Sequence, residues 1–217
     1  MNGETPETID FWFDFASTYS YLSIMRIEAV AGAVGVPFRW RPLLLGPIFG
    51  AQGMTTSPFN HYPIKGKFMF RDMERRTAAY GLPFARPLEF PVNSVTAARL
   101  AVAALETPQG PPFCRAVSKA HWGEGRDIAD QHVLIDCSIA VGLDPKALLE
   151  RSGAPDVKPR LRQNTEEAQA LGVFGAPAFT VGSGETVELF WGDDQLEDAL
   201  AWAKTAAMAP RMQAPSV

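Results

Sequence analysis

Ser17-Thr18-Tyr19-Ser20 lies between an alternating apolar run and a run of helical spacing, at what reads as the entrance of a helix. A helix N-terminus carries unpaired N–H groups and the positive end of the macrodipole, so it stabilises an anion. A hydroxyl placed there can hydrogen-bond an anionic nucleophile. It can equally be an N-cap, the commoner role for Ser on such a stretch taken alone. The plain readings of Lys65 and Asp194 are a solvated helix residue and a helix cap. Indeed Asp194-Gln195-Leu196-Glu197 has the form of a capping box. Pro177 opens a strand, where it cannot donate to the ladder. Two explanations stand: a cis Ala176–Pro177 peptide in a tight turn, which would expose the Ala176 N–H and C=O, or a trans Pro ending a loop.

Other chemistries find little support. Two cysteines, Cys114 and Cys137, form no Cys-x-x-Cys pair and sit in apolar helical patterns, so they read as small buried hydrophobes. The three histidines, His61, His121 and His132, are scattered, and no metal site is expected. A Gly-x-Ser-x-Gly elbow is absent, which argues against a Ser-His-Asp hydrolase. A net charge of −4 and the lack of a Lys/Arg block argue against a nucleic-acid partner. The polar, acidic N-terminal residues do not read as a secretory leader, and no apolar run reaches the length of a membrane span. The expected location is the cytoplasm.

The elements that must position these residues follow from periodicity. Ile9, Phe11, Phe13 and Phe15 alternate with Asp10, Trp12 and Asp14 as in a strand, and Tyr21, Leu22, Met25, Ile27 and Val30 recur at helical spacing. Phe38-Arg39-Trp40-Arg41-Pro42 is a second strand, completing a β-α-β unit that is parallel by default. The Gly-, Pro-, Thr- and Ser-rich residues 46–63 read as a long loop of the kind that is usually functional. Helical patterns then cover 65–80, closed by Gly81-Leu82-Pro83, and roughly 95–105, 113–121, 130–141, 145–152 and 158–171. Strands return at 177–181 and 186–191 around a Gly182–Glu185 hairpin, followed by a last helix through about Ala207. The fold class expected is α/β: a thioredoxin-like domain, residues 8–50 and 172–208, interrupted by an all-helical domain, residues 51–171. Residues 1–7 and 209–217 are expected to be flexible tails.

Five stretches, in this order, resemble the 2-hydroxychromene-2-carboxylate isomerase family and the related kappa-class glutathione transferases, on the DsbA-type branch of the thioredoxin fold. They are Phe13-Asp14-Phe15-Ala16-Ser17-Thr18-Tyr19-Ser20-Tyr21, Pro63-Ile64-Lys65-Gly66-Lys67-Phe68-Met69, Phe90-Pro91-Val92-Asn93-Ser94, Gly172-Val173-Phe174-Gly175-Ala176-Pro177 and Phe190-Trp191-Gly192-Asp193-Asp194. The resemblance runs from about Ile9 to Ala203 and turns the weight on Ser17 toward catalysis. Thiol–disulfide oxidoreductases of this fold carry Cys-x-x-Cys where Ser17–Ser20 stands here, so a ligand must bring its own sulfur.

The resemblance implies that ligand is glutathione, a recycled co-substrate. Ser17 matches the serine that donates to the glutathione sulfur, favouring the nucleophilic thiolate. Ala176 and Pro177 match the turn that pairs with the glutathione backbone, Lys65 the lysine near the glycyl carboxylate, and Asp194 the acid that receives the γ-glutamyl ammonium. The chain departs from the pattern at Thr18, where the family usually has Pro. Thr56 replaces an Asn that helps hold glutathione, for which Asn60 is a stand-in, and Gln195 replaces an Arg. The implied reaction converts 2-hydroxychromene-2-carboxylate to trans-o-hydroxybenzylidenepyruvate, in aromatic catabolism. The alternatives are a kappa-like glutathione transferase and a non-catalytic glutathione- or peptide-binding module. A small aromatic carboxylate needs apolar walls and a cation; Trp40, Phe49, Phe59, Phe68 and Tyr80 are candidates for the walls, and Arg71, Arg75 and Arg76 for the cation. The resemblance also implies a homodimer.

Overall fold

A computed structural model describes residues 6–206. Strand β1, Ile9–Phe13, runs into helix α1, Thr18–Val34, which returns to β2, Phe38–Pro42. Helices α2 (Leu45–Ala51), α3 (Pro58–His61), α4 (Pro63–Tyr80), α5 (Val95–Ala104), α6 (Gly110–Ser118), α7 (Gln131–Ala140), α8 (Pro145–Ser152) and α9 (Val157–Ala170) follow. The chain then closes with β3, Ala178–Val181, β4, Glu188–Trp191, and α10, Leu196–Ala206. The four strands stand in the order β2-β1-β3-β4. β1 pairs parallel with β2, Ile9 opposite Phe38, and antiparallel with β3, Ile9 opposite Val181; β3 and β4 are antiparallel. This is an α/β thioredoxin-like arrangement with helices inserted between β2 and β3.

The alternation in β1 does not separate a core face from a wet one, because helices cover both. Ile9, Phe11 and Phe13 face a cluster with Ile24, Ile27, Leu100 and Phe113, while Trp12 faces Leu43, Ile48, Ala168 and Val173. Trp12 is fully buried, its Nε1 donating to Thr180 Oγ1 at 2.9 Å. Asp10 is reconciled to burial by two 2.7 Å bonds from Arg39. Burying a side chain of the Phe or Leu class contributes about 1.5–3 kcal/mol relative to exposure, so β1 anchors both layers. The first cluster extends from the sheet into α5, α6 and α7, joining the inserted helices to the strands in one apolar interior.

Several expectations change. Residues 46–63 are not one loop: α2 and α3 occupy much of the stretch. Pro47 and Pro58 fall in the first turns of those helices, where a missing N–H costs nothing. No side chain of the neighbouring sequence caps α2; Asp14, at the end of β1, accepts the Leu45 N–H instead at 2.8 Å. The hairpin connection spans Gly182–Val187 with a 3-10 turn at Gly184–Thr186, so β4 starts two residues later than expected. A π-helical turn, Lys119–Gly123, continues α6, and Trp122 Nε1 within it donates to Phe15 O at 2.8 Å. Gly81 does close α4 in the left-handed region, at φ 66°. Of the expected tails, Glu7 is tied by its N–H to Ala203 O at 3.1 Å, while residues 1–5 and 207–217 lie outside the described residues.

Candidate active site

Ser17 is a helix cap whose proton also reaches a second segment of the chain. It is the N-cap of α1, at φ −87° and ψ 122°, its Oγ accepting the Ser20 N–H at 3.2 Å. The same hydroxyl donates to Ala176 O at 2.7 Å, across 159 residues of chain. The Ala176–Pro177 peptide is cis, and so is Phe90–Pro91, which the sequence reading passed over. With its carbonyl engaged by Ser17, Ala176 keeps an N–H that donates to no group among the described residues. Thr18 occupies the first helical position, and α1 forms without the Pro usual there in the family. Ser20 contributes its N–H, while its hydroxyl is fully buried.

Asp14 holds three segments around Ser17. One carboxylate oxygen accepts from Ala16 N at 2.9 Å and from Ser94 Oγ at 2.6 Å, and the other accepts from Leu45 N. The entrances of α1, α2 and α5 are thereby tied to the end of β1. Burial pushes the Asp14 carboxyl above its ordinary value, opposed by the donors from Ser94, Leu45 and Ala16. Nothing in the local sequence marked this aspartate except its place in the first motif.

These segments border an open cleft of about 950 Å³. Ser17, Thr56, Lys65, Ala176, Pro177, Asp194 and Gln195 all line it, although they come from five separate stretches of chain. Asn60 does not line it. Its side-chain amide reaches Phe90 O at 2.9 Å and Thr56 Oγ1 at 3.3 Å, bracing the loops beside the cleft. The Lys65 ammonium stands 4.6 Å from the centre of the Tyr62 ring. Among the aromatic candidates, Phe49, Phe59 and Phe68 are walls of the cleft. Trp40 instead packs on Phe11 and Phe13 in the core, and Tyr80 lies under Arg26 with its hydroxyl on Asp193. Phe174 and Trp191, unselected from sequence, pack together at 4.8 Å and form another wall. A Cβ on Gly175 would lie 2.6 Å from Trp191 Nε1, so only glycine leaves the indole its place.

The acidic end of the cleft is built on a buried ion pair. Asp193 is 1 % exposed and accepts from Ser23 Oγ at 2.9 Å, Arg26 at 3.0 Å and Tyr80 at 3.2 Å. Burial pushes its carboxyl up, against the pull of Arg26, Ser23 and Tyr80. This anchors the 3-10 turn Asp193–Gln195, α10 begins at Leu196, and the Asp194 carboxylate accepts no cap hydrogen bond among the described residues. Asp194 is exposed to the cleft without an ion-pair partner among the described residues. Of the three candidate cations only Arg76 lines the cleft; Arg71 pairs with Glu74 and Arg75 with Asp72. Tyr19, also on the cleft, donates to Asp72 at 3.1 Å, and burial followed by the Asp72 charge pushes its phenol well above its ordinary value. Cys114 and Cys137 lie elsewhere, in the core, where burial pushes both thiols up, Cys137 to about 11. No helix of the described residues is long and apolar enough to cross a membrane.

Known proteins resemble this chain over most of its length. Residues 8–201 match the model of the DSBA-like thioredoxin domain. A 2-hydroxychromene-2-carboxylate isomerase of Sphingobium xenophagum is 34% identical over 192 residues, covering 88% of this chain and 95% of the relative. Human glutathione S-transferase kappa 1 is 25% identical over 205 residues, covering 90% of each chain. The solved structure of a 2-hydroxychromene-2-carboxylate isomerase superposes with a TM-score of 0.75 at 25% identity, covering 94% of this chain and 100% of that one. The chain therefore belongs to the DSBA-like thioredoxin domain family, among the relatives that include 2-hydroxychromene-2-carboxylate isomerases and kappa-class glutathione transferases.

Proposed function

We propose that the protein is a glutathione-dependent isomerase converting 2-hydroxychromene-2-carboxylate to trans-o-hydroxybenzylidenepyruvate. The observation that carries this reading is the Ser17 hydroxyl, set at the N-terminus of α1 on the cleft and facing the cis Ala176–Pro177 turn. Glutathione supplies the sulfur that adds to the chromene ring and leaves again after ring opening and rotation about the freed bond. Ser17 turns its proton from Ala176 O toward that sulfur, while its lone pair keeps the Ser20 N–H. Together with the free N–H groups of the first turn, this favours thiolate over thiol. Ala176 offers its unused N–H to the ligand backbone, Lys65 a cation to the glycyl carboxylate, and Asp194 an unpaired carboxylate to the γ-glutamyl ammonium. Phe49, Phe59, Phe68, Phe174 and Trp191 give a flat aromatic substrate apolar walls.

Isomerisation of 2-hydroxychromene-2-carboxylate, followed by ultraviolet absorbance with and without glutathione, tests the proposal in wild type and Ser17→Ala. The expected result is a glutathione-dependent rate that falls about 100-fold or more in the variant, the scale for losing one donor to a developing anion. Glutathione binding without isomerisation would favour a kappa-like transferase, recognised by a stable conjugate with another electrophile. Affinity with no turnover of any electrophile would identify a binding module. We also place the protein in the cytoplasm and propose a homodimer, both by analogy with its relatives.

A further inference from the structure

The stripe of α4 that faces the cleft carries Lys65, Phe68, Asp72 and Arg76, spaced at three and four residues so that all four share one side of the helix. Lys65 and Arg76 stand eleven positions apart, which is about 16 Å along the axis at 1.5 Å per residue. Between its two end carboxylates an extended γ-glutamyl tripeptide spans about 12–14 Å, some four residues of extended chain. The ammonium and guanidinium can fold inward over that difference. A ligand with a carboxylate at each end therefore matches the stripe, and Lys65 accounts for only one of those ends.

Arg76 has capacity to spare. Its Nε donates to Asp72 Oδ2 at 2.9 Å, and Nη1 stands 3.8 Å from Asp193 Oδ2, beyond hydrogen-bond range. Asp72 is already served by Arg75 at 3.0 Å and by the Tyr19 hydroxyl, and Asp193 by Arg26, Ser23 and Tyr80. Of the three carboxylates gathered here, two are paired and Asp194 is not. Arg26 is shared between Asp193 and Glu197, and Arg75 and Arg76 both answer Asp72, so none of these guanidiniums is paired with Asp194. A lone carboxylate bound to Arg76 would leave Asp194 unanswered, and a lone ammonium on Asp194 would leave the Nη atoms unused. A group carrying both charges on one carbon satisfies both.

We propose that Arg76 and Asp194 form a receptor for an α-amino-acid head group, Arg76 taking the carboxylate and Asp194 the ammonium. The inference rests on the glutathione reading: the head group is that of the γ-glutamyl residue. Gln195, on the turn beside Asp194, can offer only a neutral amide, and Arg76 brings the missing charge from another element, α4. It follows that Arg76 is a recognition residue for the co-substrate and is not the cation for the aromatic carboxylate.

Titration calorimetry on the full chain tests this with glutathione and with γ-aminobutyryl-cysteinylglycine, which lacks only the γ-glutamyl α-carboxylate. Wild type should bind glutathione about ten- to a hundredfold more tightly than the analogue, the ratio for a hydrogen bond to a charged group. In Arg76→Gln that preference should vanish, because glutathione weakens to the level of the analogue while the analogue is unchanged. Adding Gln195→Arg to Arg76→Gln should restore it. Equal binding of the two ligands by wild type, or a preference that survives in a folded Arg76→Gln, would overturn the inference while leaving the glutathione reading intact. Failure of wild type to bind glutathione at all would overturn that reading, and the inference with it. The comparison of ligands on wild type needs no variant and stands even if Arg76→Gln does not fold.

Discussion

Asp14 illustrates how one buried side chain can set the geometry of a site. Its carboxylate receives three donors from three segments, and each of those segments borders the cleft. Asn at this position keeps one acceptor oxygen and turns an NH₂ toward a donor. Asp14→Asn should therefore destabilise the protein by about 1–3 kcal/mol, the cost of leaving a buried polar group unsatisfied. Urea unfolding at neutral pH would measure it, and an unchanged midpoint would refute the account. Ser17 shows a different economy, since its cap bond uses the lone pair and its donor bond uses the proton. The cap is thus compatible with the proposed catalytic role, which sequence alone set against it as a rival.

At the scale of elements, the π-helical turn after α6 carries the buried titratable group with the clearest consequence. His121 is 1 % exposed; its Nδ1 lies 3.0 Å from Arg126 O, and its Nε2 has no partner among the described residues. Burial lowers its pKa, against the opposing Arg126 carbonyl and Asp127 charge. The folded state therefore binds its proton less readily than the unfolded state. This contribution to stability is fully present above the unfolded value of 6.5 and is lost as pH falls below it toward the folded value. Stability measured by urea unfolding should drop between pH 7 and pH 5 in wild type, and His121→Gln should flatten that part of the profile. A profile of the same slope in the variant would assign the loss to other groups.

For the whole molecule, the sheet supplies rigidity and its surroundings supply chemistry. β1 is buried on both faces, and its C-terminal end passes directly to Asp14, Ala16 and Ser17. The turn before β3 brings Ala176 and Pro177 to the same end, because β3 is antiparallel to β1. The proposed homodimer is checked by light scattering on a sizing column, where twice the chain mass of 23.7 kDa is expected and the chain mass itself would refute it.

The strand-helix-strand start, the helices from α4 onward and the strand return were legible in sequence because local periodicity and Gly or Pro punctuation encode them. So were Ser17, Lys65, Ala176, Pro177 and Asp194 as candidates, through motifs that are contiguous in the chain. The α2 helix was not legible, since its first N–H is satisfied by Asp14, 31 residues away. Nor was the fate of the aromatic and basic candidates: periodicity gives the side of an element a residue is on, and only packing decides what covers that side. Thus Trp40 went to the core, and of the three arginines, each paired with a neighbouring carboxylate, only Arg76 reaches the cleft. The sequence by itself determined which elements form and which hydroxyl stands at a helix entrance. Tertiary structure alone decided that this hydroxyl meets Ala176 and that Asp194 is left unpaired beside Arg76, because those relations join segments more than a hundred residues apart.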